Sequence, residues 1–177
     1  MSEAIPDLSD KSKRRVLWIV LALNVAIAAG FFATGILGDS SALIANGLDN
    51  SSDALVYAIS LLALSRPPTW KRGAARLSGV MLLVFAVGVL LDVGRRYLSG
   101  SEPIGTAMMI MAIIAAAVNL QSLFLLKRLR GKDVNLRAAE TFSFNDFISN
   151  GGILVGGGLV LWTGQNWPDL IVGIGVA

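Results

Sequence analysis

The chain has 177 residues, 54% of them hydrophobic and only 15% charged, with a net charge of +3. No soluble domain of this size needs so much apolar surface, so the composition points to a membrane protein. There is no cysteine and no histidine, which excludes disulfides, thiolate and imidazole metal ligands, and Ser/His/Asp or Cys/His catalysis; a metal site here must be built from oxygen.

Residues 1–14 are polar, contain Pro6 and read as a cytoplasmic tail. Lys11, Lys13, Arg14 and Arg15 precede an apolar run with no small-residue cleavage site, so that run is a retained first span, 16–37, and not a signal peptide. Gly38 and Asp39 make a short turn, and Ser40 and Ser41 can cap the second span, 42–64. The stretch 65–76 reads as a loop in which two prolines end the helix and four basic residues fill the turn. The third span is 77–97 and the fourth is 104–126. Asn24, Asn119 and Gln121 are expected to hydrogen-bond between helices.

The segment 127–137 is the most basic loop. The fifth span, 138–162, is polar in its first half and glycine-rich in its second. A sixth apolar segment, 169–177, is too short to cross a hydrocarbon core that needs ~20 residues, so the sixth helix is expected to be incomplete in this chain. No soluble C-terminal domain is expected after it. Basic residues gather at the N-terminus and after the second and fourth spans, while the other turns carry Asp39, Glu102 and Asp169. That is the positive-inside pattern, with a cytoplasmic N-terminus. The basic loops are topology determinants, not nucleic-acid contacts. Arg95 and Arg96 fall on the other side and are expected to snorkel or to pair with Asp92.

The second span holds two carboxylates, Asp49 and Asp53, in its interior. Four residues apart, they lie on one helix face, shared by Asn46 and Asn50. Each charge at mid-bilayer depth costs ~2.5–3.5 kcal/mol on insertion scales, so two on one face imply a cation, a proton or water. On the fifth span Asp146 is the one carboxylate at buried depth, with Phe142 and Asn150 one turn to either side and Ser143 three before it. If the two helices touch, Asp49, Asp53 and Asp146 supply three carboxylates of an oxygen-rich divalent-cation site; Asn46, Ser143, Asn145 and Asn150 are further possible ligands.

The stretch 41–55, SALIANGLDNSSDAL, resembles the second transmembrane helix of the cation diffusion facilitator family, with Asp49 and Asp53 on its two metal-ligand positions. Residues 135–146, NLRAAETFSFND, are similar to that family's entry to the fifth helix, with Asp146 on a ligand position and Phe142 where the family usually has a ligating histidine. The resemblance covers nearly all of 15–177. It implies an all-α integral membrane protein, a six-helix transmembrane bundle of the cation efflux type, of the short branch lacking the cytoplasmic domain. It further implies a homodimer in the lipid bilayer, here the bacterial inner membrane, that is a divalent-metal exporter exchanging metal for protons and not an enzyme. The cargo would be zinc, with cobalt, cadmium, manganese or iron as alternatives, and no cofactor would be permanently bound. The competing readings are a passive cation channel and a non-transporting partner subunit of a heteromeric transporter.

Overall fold

The computed structural model describes residues 11–63, 68–128 and 134–176. Most of the expected cytoplasmic tail (1–10), parts of the two basic loops (64–67 and 129–133) and Ala177 lie outside the described residues. The described residues form six helices: α1 Lys11–Leu37, α2 Ser41–Ala63, α3 Pro68–Ser99, α4 Gly105–Arg128, α5 Val134–Thr163 and α6 Trp167–Val176. Among the described residues there is no strand.

Two helices, Arg14–Leu37 and Gly105–Lys127, are long and apolar enough to cross a membrane, at 24 and 23 residues. At about 1.5 Å per residue each exceeds a ~30 Å hydrocarbon core. α2, α3 and α5 are 23, 32 and 30 residues long, so length is not what sets them apart; polar and charged residues interrupt their apolar runs. The surface is inverted relative to a soluble protein. Leu82, Leu83, Val84, Val87, Leu90 and Leu91 of α3 are exposed, while Asn24, Asn46, Asn50, Asn119 and Asp146 are buried. An apolar exterior around a polar interior suits lipid as the solvent.

Several helix starts precede the sequence expectation: α1 begins at Lys11, α5 at Val134 within the stretch read as basic loop, and α6 at Trp167. Residues 68–76, read as loop, are the first two turns of α3. Two adjacent prolines signal a stop, but Pro68 stands at the first helical position, where its missing N–H costs nothing and its fixed φ favours the helix.

The interior is two apolar clusters separated along the bundle. One joins Ile27 and Phe31 of α1, Leu43 of α2, Met108, Met111 and Ala115 of α4, and Ile153 and Val160 of α5. The other joins Leu17 and Val20 of α1, Tyr57 and Leu61 of α2 and Leu126 of α4, with Phe142 packed on it. α4 and α5 make the most extensive contact, and glycine permits it. A Cβ at Gly157 would meet the Gly105 carbonyl oxygen at 2.8 Å and the Met109 and Met108 side chains at 2.9 and 3.0 Å. Only a residue without a side chain fits there.

At the end of the bundle holding the α1–α2 turn, the chain reverses through Asp39, whose φ of 48° lies in the left-handed region that aspartate tolerates better than most residues. Ser40 caps α2 by accepting a hydrogen bond from the Leu43 N–H at 3.2 Å. The N–H groups of Ser41 and Ala42 donate to the two oxygens of Asp169, at 2.8 and 3.1 Å, so α6 supplies a second cap. Arg96, buried on α3, pairs with Asp39 and, at 2.7 Å, with Asp92. Asp92 also receives the Ser41 hydroxyl at 2.7 Å and Arg95 at 3.0 Å. The pairing of Arg95 and Arg96 with Asp92 answers the expectation from the sequence.

Candidate metal centre

Between the two apolar clusters, α2 and α5 run antiparallel and meet through polar side chains. The Asn46 amide donates to Asn150 Oδ1 at 3.0 Å, and Ser149 Oγ donates to Asn46 Oδ1 at 3.0 Å. One turn further along, the Asp49 carboxyl lies against that of Asp146, close enough for one proton to bridge them. Asp53 faces the same pair from the next turn of α2. Beyond it the rings of Tyr57 and Phe142 pack with centroids 5.8 Å apart and planes tilted by 56°. The order Asn46, Asp49, Asp53, Tyr57 on one helix therefore matches Asn150, Asp146, Phe142 on the other.

Burial divides these residues. Asn46, Asn50, Asp53, Ser143, Asp146 and Asn150 are buried, and Asp49 is half-buried. Asn145 is exposed, on a side of α5 away from the rest; one residue on a helix is about 100° of rotation, so it cannot share the Asp146 face. Phe142 is half-buried, and its ring contact is with Tyr57. Two expected interhelical hydrogen-bonders behave otherwise. Asn24 donates to its own helix, to Val20 O at 2.9 Å, and Gln121 is exposed.

Two residues of this constellation escaped the reading of the sequence as possible ligands or neighbours of the site. Tyr57 continues the series Asp49, Asp53 at the same spacing of four, and that spacing is the signal that places it. Ser149 is three after Asp146, which puts it on the same face.

Asp49 also borders a cavity of about 30 Å³ between α2, α3 and α6, walled by Leu48, Ser52, Phe85, Val89 and Val176. That is room for a water molecule or a small cation, reached from the side of the site opposite Asp146. Among the described residues no three acidic side chains converge tightly enough to hold a metal ion as they stand.

Residues 17–177 match the family described as the cation efflux transmembrane domain. The chain is similar to the metal cation efflux system protein CzcD of Cupriavidus metallidurans, 25% identical over 90% of this chain and 54% of that protein. It is similar to the zinc transporter ZitB of Escherichia coli, 27% identical over 93% of this chain and 56% of that protein. A cadmium, cobalt and zinc/H(+)-K(+) antiporter of Bacillus velezensis is 26% identical over 89% of this chain and 56% of its own length. The chain thus spans about half the length of the curated relatives it matches.

Proposed function

This chain belongs to the cation efflux family, and from that premise we propose that it exports a divalent transition-metal cation in exchange for protons, through a site made by Asp49, Asp53 and Asp146. The observation that carries the reading is the meeting of these three carboxylates across α2 and α5, within a buried polar layer of the bundle. Carboxylates bind a metal only when ionised, so metal arrival releases protons, and proton return releases the metal. One site occupied by either species in turn gives exchange by mutual exclusion. Because the three groups do not converge tightly enough to hold an ion as they stand, a rearrangement of their side chains is the step that completes the ligand shell. Rocking of helices around a fixed site then exposes it to one side and the other.

Zinc is the proposed cargo. Zinc stands in the names of two of the relatives above, and cadmium and cobalt in that of one; an all-oxygen site would also suit manganese or iron. We place the protein in a bacterial inner membrane, with its N-terminus in the cytoplasm and two copies per transporter. Purified full chain in liposomes should take up zinc with a matching proton efflux, and the flux should saturate at low ion concentration. Metal uptake without proton counterflow would remove the coupling, and non-saturating currents would mean a channel. The half-buried Phe142, where a relative would have a ligand, favours a second reading as a non-transporting subunit. Tight zinc binding by the purified chain alone would end it.

Phe142 gives a sharper test. It lies on the α2-facing side of α5, one turn from Asp146, and packs against Tyr57. Phe142→His should lower the zinc dissociation constant more than that for manganese, because zinc prefers nitrogen and manganese tolerates oxygen. Loss of the ring pair should cost about 1 kcal/mol of stability. An unchanged zinc-to-manganese ratio in a folded variant would show that position 142 does not look at the ion.

A further inference from the structure

Asn24 Oδ1, Asn50 Oδ1, Asn119 Nδ2, Ser122 Oγ and Asp146 Oδ2 are all buried without a hydrogen-bond partner among the described residues. Their residues are exposed by 2%, 0%, 1%, 0% and 2%. An orphaned buried polar group costs ~1–3 kcal/mol, so so many together require an explanation.

They share one layer. In each helix they fall between a residue of one apolar cluster and a residue of the other: Asn24 between Val20 and Ile27, Asn50 between Leu43 and Tyr57, Asn119 and Ser122 between Ala115 and Leu126, Asp146 between Phe142 and Ile153. The α4–α5 register sharpens the placement. Met108 packs on Gly157, and the two helices run antiparallel. Eleven residues on from Met108 is Asn119, and eleven back from Gly157 is Asp146. Eleven residues are about three helical turns, so both residues return to the contact face at the same level. Asn119 has a free donor and Asp146 a free acceptor, yet no direct hydrogen bond joins them. A buried donor and acceptor on facing helices that make no direct hydrogen bond are satisfied when a water bridges them, and such a water takes two to four partners; Ser122 Oγ and Asn24 Oδ1 are orphaned in the same layer.

We propose that Asn119, with Ser122 and Asn24, holds an ordered water against Asp146 Oδ2 and so positions that carboxylate for the ion. Asn119 is then a positioning residue contributed by α4, a helix that carries none of the three carboxylates. The inference rests on the metal-binding reading above.

The test uses purified full chain and two variants. Asn119→Leu keeps the branched shape in a somewhat larger side chain and removes the donor; Asn119→Ser keeps a small polar group with room for water. The Leu variant should raise the zinc dissociation constant about tenfold, as loss of a group that orients a ligand does elsewhere. The Ser variant should stay within about twofold of the parent, and the Leu variant should unfold no earlier than the parent. Hydroxyl radicals generated in place by X-rays should label buried Leu123 in the parent and the Ser variant, and spare it in the Leu variant. A Leu variant that binds zinc like the parent, or labelling that is the same in all three, overturns the inference. If the parent binds no zinc but the labelling pattern holds, the metal-binding reading falls while the water layer stands.

Discussion

Asp53→Ala should abolish the proposed zinc transport in proteoliposomes and leave the protein in the membrane at the parent's level. The argument has two sides. Asp53 is buried and faces both Asp49 and Asp146, so its loss removes one of three carboxylates from the shell. It also removes a charge whose insertion costs ~2.5–3.5 kcal/mol at mid-bilayer depth, so nothing in the fold should suffer. A structural carboxylate would behave in the opposite way, with lower abundance and normal turnover per folded molecule. Transport at the parental rate by the purified Ala variant would remove the second helix from the site.

The second large effect lies at the other functional extreme, in stability alone. Arg96→Ala leaves Asp39 without its cation and Asp92 with only the exposed Arg95. Breaking a buried ion pair from one side costs ~3–5 kcal/mol; the lower end, about 3 kcal/mol, is expected because the Asp39 side chain is 47% exposed to solvent. Tryptophan-monitored thermal unfolding in detergent should show a clear drop in midpoint. Arg96→Lys should recover only part of it, since one ammonium cannot reproduce the fork of a guanidinium that meets two carboxylates. An Ala variant melting with the parent would mean that the cluster is solvated and carries no load.

The three carboxylates were legible in the sequence because a charge in an apolar run contradicts its surroundings. The phase of the helix then put Asp49 and Asp53 together. Asn145 shows the limit of that reading. Its residue type suits a ligand, but it is one step out of phase with Asp146, and the structure leaves it exposed. The start of α3 was misread because proline ends one helix and begins another with equal ease. The Asp92–Arg96 pair was readable at a spacing of four, while Asp39–Arg96 was not, being 57 residues apart and formed only when α2 and α3 pack. Asn119 was read as a partner across helices without a partner being named. That partner depends on the register of α4 against α5, set by Gly105 and Gly157 more than 50 positions apart, and no local pattern encodes it.

The capping of α2 by Asp169 bears on how the protein is made. α2 carries two carboxylates into the bilayer, and two of its leading N–H groups donate to a residue 128 and 127 positions further along the chain. At ~5–20 residues per second of synthesis, roughly ten seconds separate the emergence of that helix from the arrival of its cap. In that interval Ser40 and water must serve, and Asp49 and Asp53 have no Asp146 opposite them. The nascent chain thus holds its two acidic residues in a helix whose supports have yet to be translated.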